Sequence, residues 1–345
     1  MPGKISRWIS WLMILVALLI GVSLLSLAIG AVRIPAKETL SLLVKRILFW
    51  QNYPFENTSA SIILFKIRLP RLILGIVVGA ALSSSGVIFQ GMFRNPLVEP
   101  YTLGVSGGAA VAVCIMIITG LSKTFSQLIP LSGFLGAIGA TILVYFIASS
   151  GGRLAIPTLL LTGVIVSFFS SSLIMLLMSI SGLEELHGIT FWIMGNLQET
   201  NLSLILPVSF ILLGGIFTSF LFARDLNALS LGEEEAQHLG IEVERTKKIL
   251  FVLASLLAGV AVSVSGVIGF VGLMIPHFIR NVIDVDHRIL LPASVIAGST
   301  FLVGADIVAR TILSPRELPV GIITGIIGGI IFIYIIRKRK VEFRW

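Results

Sequence analysis

Ten stretches of the chain are apolar for long enough to be read as membrane-crossing or membrane-embedded segments. They lie at about 8–32, 60–90, 102–120, 127–149, 156–180, 201–223, 247–267, 269–282, 289–311 and 319–336. A crossing helix needs about 20 predominantly apolar residues. The second stretch is too long for one straight crossing, which predicts tilt or extension beyond the bilayer. The eighth is too short and carries Gly272 and Pro276, which predicts a broken or half-length helix. Irregular backbone at membrane depth survives only where protein or a water-filled cavity covers it. The first stretch follows Lys4 and Arg7, exceeds twenty residues and is followed by other spans, so it reads as a retained helix rather than a signal peptide. The expected fold is all-α: a single polytopic membrane domain over residues 1–345 with about ten transmembrane helices.

Composition agrees. Of 345 residues 56% are hydrophobic and only 12% charged, against about a quarter charged in soluble domains. The mean hydropathy is +1.04. A soluble enzyme, a disordered chain and a nucleic-acid binder are excluded on these grounds. The formal charge of +8 reads as basic loops on the cytoplasmic side rather than a polyanion partner. One cysteine, Cys114, excludes an intrachain disulfide framework and a cysteine-cluster metal site. Ten spans place both termini on one side. With that side inside, Lys4, Arg7, Arg94, Arg153, Arg224, Arg245, Lys247, Lys248, Arg280, Arg288 and the tail residues Arg337, Lys338, Arg339, Lys340 and Arg344 are inner. That is fifteen of 25 basic residues. Both termini are expected in the cytoplasm, and the outer basic residues need a separate explanation.

Residues 79–88 read GAALSSSGVI and residues 259–268 read GVAVSVSGVI, identical at seven of ten positions with an offset of 180; at the same offset Pro96 falls on Pro276. Either two helices rich in Gly, Ser and Val resemble each other by chance, or the second and seventh spans are copies. Copies five spans apart run in opposite directions, and inverted repeats are a transporter device.

An energy source is not apparent in the chain. A phosphate-cradling loop needs Gly-Lys-Ser/Thr at its end, and the only Gly-Lys pair, Gly3-Lys4, is followed by Ile5. No metal site and no catalytic residues are expected: His187, His238, His277 and His287 are scattered without ligand spacing. Asp306 is the clearest embedded carboxylate. Arg310, four residues on, predicts an internal ion pair and leaves little for a proton relay. Between the sixth and seventh spans, Ser230 followed by Glu233 has the spacing of a capping box, acids crowd the first turn, and Gly240 can end the helix left-handed. This predicts a short acidic helix, read either as a solvated interhelical loop or as a helix made for a groove on a cytoplasmic partner. On the fifth span, Gly163, Ser167, Ser170 and Ser171 form a small-residue stripe, which suits close helix packing or the wall of a pore equally.

These features, with Arg-Leu-Pro-Arg at 68–71, GMFRNPLVEPYTLGVSGGAA at 91–110, FWIMGNL at 191–197, LGEEEAQHLGI at 231–241, GVIGFVGLMIPHFIR at 266–280, DHRILLPAS at 286–294, GADIVAR at 304–310 and ELPVGIITG at 317–325, run in order over nearly the whole chain. The chain resembles the FecCD family, the permease subunits of type II ABC importers for iron–siderophore, haem and vitamin B12. One departure is Asn196, where the family more often has Ser.

The resemblance implies a ten-helix, non-enzymatic transport subunit of the cell membrane that pairs with a second copy of itself. It implies two cytoplasmic ABC ATPase subunits that carry the ATP and Mg, leaving this chain without a cofactor. They would dock on the coupling loop at 228–240, with Ser230, Leu231, Gly232, Glu233, Glu234, Ala236, Leu239 and Gly240 as the contact positions. It also implies an extracytoplasmic substrate-binding protein whose acidic residues meet Arg68, Arg71 and Arg310, a task that suits the rigid arginine fork. The alternative for Arg68 and Arg71 is snorkelling to lipid headgroups. Gly163, Ser167, Ser170 and Ser171 are implied to line the pathway. An iron chelate of siderophore type is the expected cargo, with cobalamin, haem or molybdate as alternatives. A proton-coupled secondary transporter using Asp306 is the rival of another class.

Overall fold

The long apolar runs become helices because they carry few internal breakers, and prolines such as Pro130 and Pro157 fall in a first turn, where no backbone N–H is lost. In the computed structural model, which describes residues 2–30, 32, 34–48, 58–150, 153–199 and 201–338, the principal helices are α1 (Pro2–Ala28), α2 (Ala36–Leu48), α3 (Ser59–Phe93), α4 (Val105–Ile118), α5 (Ile129–Ala148), α6 (Ile156–Ser179) and α7 (Leu183–Ile193). They continue as α8 (Leu202–Leu221), α9 (Ala223–Leu231), α10 (Glu233–His238), α11 (Val243–Ser265), α12 (Val271–Val282), α13 (His287–Thr311) and α14 (Val320–Lys338).

The ten apolar stretches correspond to α1, α3–α6, α8 and α11–α14. Seven helices among the described residues are long and apolar enough to cross a membrane; α4 and an apolar stretch of α14, Val320–Tyr334, are shorter. Apart from one two-residue ladder, the regular structure is helical, and the protein is a multi-pass membrane protein. As expected, the second stretch is over-long, at 35 residues. Its start is not a plain α-helix: Ile63–Arg68 forms π-helical turns directly before Leu69. The eighth stretch is half-length, the 12 residues of α12 with Pro276 inside. Helices α2, α7, α9 and α10 lie outside the ten stretches. Of these, only the region of α10 carried a helix signal in the sequence.

The two helices that carry the similar segments form the centre. In α3, 89% of the most apolar window is buried and in α11 78%, against 11% in α1, whose Ile5, Ile9, Met13 and Ile14 are exposed. Thus α1 is a peripheral, lipid-facing helix, and α3 is packed by α8, α11, α12 and α13. Ser85 Oγ donates to the Ala254 carbonyl at 2.7 Å, fastening one of these two helices to the other.

The two similar segments then differ in conformation. Ser85-Gly86-Val87-Ile88 continues as helix, whereas the identical Ser265-Gly266-Val267-Ile268 leaves it, with Gly266 at φ 65°. Pro96 accordingly lies in the turn after α3 while Pro276 is inside α12, so the correspondence at these prolines does not extend to conformation. The physical reason is the partner at each site. The Ser265 carbonyl, which a continuing helix would occupy, accepts from the Asn196 amide at 2.7 Å. In α3 the residues around Gly86 are wholly buried, and Phe89 packs edge-on to Phe251 of α11.

Two ends of the bundle are defined by contacts. At one, Trp8 Nε1 donates to Asp284 at 3.1 Å, Asn227 Nδ2 to Asp286 at 2.8 Å, and Lys247 Nζ to the Leu154 carbonyl at 3.0 Å. The start of α1, a two-residue ladder pairing Ser149 with Leu154, α9–α10 and the α12–α13 turn therefore share that end. At the other, Arg68 donates to the carbonyls of Leu27 and Ala28, and Arg71 bridges α3 to α13. Of the basic residues assigned to the inner side, Arg339, Lys340 and Arg344 lie outside the described residues.

Candidate functional site

The first site is the short helix α10. Its residues Glu233–His238 follow Gly232, whose φ 137°, ψ 158° suits glycine alone. Contrary to the capping-box reading, Ser230 caps nothing: it lies inside α9, and its Oγ donates to the Leu226 carbonyl at 2.8 Å. Gly232 occupies the cap position and separates α9 from α10, a break that the Ser–Glu spacing alone could not reveal. The C-terminal expectation holds. Gly240 is left-handed at φ 85°, its amide donates to the Gln237 carbonyl at 2.9 Å, and the Ile241 amide donates to the Ala236 carbonyl at 3.0 Å, the paired bonds of a Schellman end.

One side of α10 is anchored and the other is presented. Ala236 is fully buried, and Glu233 is held by Lys247. Glu234, Glu235, Gln237 and His238 are exposed, with Leu231 and Leu239 exposed on either side. Lys247 is the anchor that sequence reasoning missed. Its buried amine also meets Glu244 at 2.6 Å and the Leu154 carbonyl. Hydrogen bonds involving a charged group contribute about 1.5–3 kcal/mol. Lys247→Met, which keeps the length and removes the charge, is therefore expected to raise amide hydrogen exchange across residues 233–241 by about tenfold or more. Unchanged protection there would show that Lys247 does not hold α10.

The second site is a charge network at the opposite end. Asp306 pairs with Arg310 (Nε–Oδ2 2.9 Å), as its spacing predicted, and also with Arg71 (2.8 Å). Arg71 reaches on to Glu317 at 2.6 Å. Arg310 Nη2 donates to Ser26 Oγ at 2.8 Å, and Arg68 donates to the carbonyls of Leu27, Ala28 and Val32. The three arginines expected to meet a binding protein are thus 4% (Arg68), 6% (Arg71) and 4% (Arg310) exposed and committed to acceptors within the chain. Snorkelling of Arg68 and Arg71 is likewise not what the structure shows. The reason is the unsatisfied carbonyls at the end of α1 and the carboxylates of Asp306 and Glu317. These lie far away in sequence and give each guanidinium a nearer partner than solvent.

The third site is the break between α11 and α12. Phe270 begins α12 in a left-handed conformation (φ 69°), and its amide donates to Glu99 Oε1 at 2.8 Å; the Ile268 amide donates to Tyr101 Oη at 3.3 Å. The backbone released by the half-length helix is therefore covered by Glu99 and Tyr101, the acid and phenol of the VEPYTLG segment.

On α6 the small-residue stripe divides. Gly163 abuts the backbone of Thr102 and Leu103, and Ser170 is buried against Gly107. These two face the interior of the subunit and are close-packing residues in this structure. Ser167 is half-buried, and Ser171 is exposed beside Phe168 and Phe169, themselves 72% and 62% exposed. The outward face of α6 is apolar and aromatic with hydroxyls, and the helix carries no charged residue.

Two cavities flank these sites. One of about 420 Å³ lies by the α11–α12 break, lined by Trp192, Asn196, Gln198, Glu199, Asn201 and Ser265 among others. The other, of about 720 Å³, lies between the start of α1, α9 and the α12–α13 turn. Beside it, partial burial pushes the Asp284 and Asp286 carboxyls up. Hydrogen bonds from Lys4 and Trp8 to the first, and from Arg288 and Asn227 to the second, outweigh this and hold both below the usual carboxylate range. No group of three or more His, Cys, Asp or Glu able to hold a metal occurs among the described residues.

Comparison with known proteins places these features in context. The FecCD transport family matches residues 17–338. The hemin transport system permease protein HmuU of Yersinia pestis is 40% identical over 280 residues, 79% of this chain and 83% of that protein. The cobalamin import system permease protein BtuC of Halobacterium salinarum is 42% identical over 287 residues, 82% of this chain and 76% of that protein. Among solved structures, an inward-facing conformation of a putative metal-chelate type ABC transporter is similar, with TM-score 0.79 and 32% identity, covering 96% of this chain and 100% of that one.

Proposed function

The chain belongs to the FecCD transport family, and on that premise we propose that it carries a bulky iron chelate across the cell membrane, within a dimer of two copies driven by cytoplasmic ATPase subunits. At the coarser level the protein is a permease subunit of an ABC importer, and the single observation that carries this is the family match over nearly the whole chain. The finer reading rests on chemistry. The two relatives above are named for hemin and cobalamin, both metal ions held in a large organic ligand, and the similar solved structure is titled for a metal chelate. An uncharged, aromatic and hydroxyl-bearing face on α6 suits such cargo, because it offers contact area without a charge that would hold the ligand too tightly to release it.

In this reading the end that gathers Lys4, Arg7, Arg224 and α10 is cytoplasmic, following the excess of basic residues there. The exposed acids of α10 and the flanking Leu231 and Leu239 enter a groove on the ATPase, while Ala236 and the Glu233–Lys247 pair transmit the movement into α11. Ala236→Pro removes the amide that donates to the Gly232 carbonyl and adds a ring at a fully buried position. The expected outcome is a correctly inserted subunit that no longer couples substrate to the ATPase activity of its partner. Normal transport by that variant would remove the docking role.

An extracytoplasmic binding protein docks at the opposite end, and Arg68, Arg71 and Arg310 shape that surface from beneath rather than touching the partner. Charge reversal of Arg68 is therefore expected to lower thermal stability at all ionic strengths. A direct docking contact would instead show as an affinity loss that salt masks.

Cargo is tested by uptake in a strain lacking the gene, comparing labelled ferric chelates, haem, cobalamin and molybdate. Selective loss of ferric chelate uptake is expected. Selective loss of cobalamin uptake, the second reading favoured by the 42% identical relative, would keep the mechanism and change the cargo.

A further inference from the structure

The 720 Å³ cavity at the α10 end contains a cation without an anion. Arg280, in the last turn of α12, is 9% exposed and lines this cavity. Among the described residues its one hydrogen bond goes to a neutral amide, Gln90 Oε1, at 3.4 Å. A guanidinium has five donors and stays charged, and burying such a group without an opposite charge is costly. The acids near it are already engaged. Asp284 is held by Lys4 at 3.1 Å, with Arg7 at 3.8 Å and Trp8 on the same oxygen. Asp286 takes Arg288 at 2.5 Å and Asn227 at 2.8 Å. Arg224 also lines the cavity and is outside every ion pair found among the described residues. The lining therefore carries Lys4, Arg224, Arg280 and Arg288 against two acids, an excess of two positive charges.

We infer that this cavity is a binding site for a phosphate group, with Arg280 as its principal ligand and Arg224 at the rim, and that the headgroup of an anionic phospholipid supplies it. The location favours lipid. The cavity begins at Lys4, and next to it Trp8 has its indole N–H on Asp284, the Lys4 amine 5.0 Å from its ring and Arg288 5.7 Å away. A tryptophan with basic neighbours at the start of a lipid-facing helix is the arrangement found at headgroup level, and basic pockets between membrane helices on the cytoplasmic side take anionic headgroups. Within the lining, His287 donates from Nδ1 to Asn227 Oδ1 (2.8 Å), which fixes Asn227 and the turn that carries Arg288. Ser230, Leu231 and Leu239 of the segment proposed to meet the ATPase also line the cavity, so occupancy would tie α1, α9, α12 and the α12–α13 turn together at the edge of that docking surface.

The test uses the full-length permease purified with its ATPase partner in nanodiscs of phosphatidylcholine, with phosphatidylglycerol titrated in, and separately with inorganic phosphate. Retained lipid is measured by native mass spectrometry and stability by the thermal midpoint. Wild type is expected to retain phosphatidylglycerol over phosphatidylcholine and to gain thermal stability from it. Arg280→Gln is expected to bind it at least about tenfold more weakly, the loss of one charged hydrogen-bonding ligand. Arg280→Lys, which keeps the charge, should recover part of that affinity and so separates ligand loss from misfolding. Stabilisation of wild type by inorganic phosphate to the same extent as by phosphatidylglycerol would keep the phosphate site and make a free anion its source. Equal retention of both lipids with no response to phosphate would overturn the inference. So would a phosphatidylglycerol response that Arg280→Gln leaves intact, or one seen only when the ATPase is removed, which would mean that an acidic side chain of that partner fills the cavity.

Discussion

Asp306→Ala is expected to be among the most damaging single substitutions in this protein, costing about 3–5 kcal/mol. The carboxylate is 2% exposed and is shared by Arg71 and Arg310 at 2.8 and 2.9 Å. Removing it leaves two buried guanidinium groups facing each other with only Glu317 to divide between them. Truncating one member of a buried charge group is far more costly than removing the whole group, because what remains is an uncompensated charge. A variant with Leu at positions 71, 306 and 310 together is therefore expected to recover part of the loss. The thermal midpoint of the detergent-solubilised protein measures both. A midpoint for Asp306→Ala within experimental error of wild type would mean that the network carries no stability.

A second substitution at this position bears on energy coupling. Each oxygen of this buried carboxylate faces an arginine, the geometry of a structural ion pair rather than of a proton carrier. Asp306→Asn that folds is expected to transport in the presence of an uncoupler and to stop when ATP is depleted. Loss of transport on collapsing the proton gradient, with ATP maintained, would restore the proton-coupled reading.

The second large effect is expected at Gly86. A Cβ built there falls inside the contact shell of the Gly272 carbonyl oxygen, which is backbone at the first turn of α12 and cannot swing away as a side-chain tip could. Gly86→Val would have to push α12 off α3. With it would move Gln90, which donates to the carbonyls of Gly272 and Leu273 at 3.3 and 3.1 Å. Overpacking a tight interior costs typically about 1–3 kcal/mol and more where backbone must shift, so the upper end or beyond is expected here. The measurement is the yield of monodisperse, correctly inserted protein together with its thermal midpoint, and wild-type values for both would show that α3 and α12 separate freely. Gly139 is the control: a Cβ there meets no atom within 4 Å, and Gly139→Ala should be neutral.

How much of this was legible in the sequence differs by feature. Apolar length is a local property, so the ten helices, the over-long second and the half-length eighth could all be read from it. The Asp306–Arg310 pair was also legible, because four residues on a helix is a fixed distance. Arg71, Glu317 and Ser26 could not be found that way, since their places in the network depend on α1, α3 and α13 arriving side by side. Lys247 looked like one more inner basic residue, and only its burial beside Glu233 and Leu154 shows it to be the anchor of α10. Arg280 likewise read as part of a family segment and a positive-inside count. Its lack of an anionic partner among the described residues is a fact of three-dimensional position.

The word Ser-Gly-Val-Ile marks the boundary between the two kinds of information. By itself the sequence determined that this is a helical membrane protein in which two spans share the word Ser-Gly-Val-Ile, because hydrocarbon tolerates few ways to satisfy a backbone and long apolar runs leave helix as the solution. Only the tertiary structure decided that the word stays helical at 85–88 and breaks at 265–268. A helix ends in a buried place only where other groups take its released polar atoms. Asn196, Tyr101 and Glu99 meet those atoms after Ser265, and Phe89, Phe93 and Phe251 close the interior around α3.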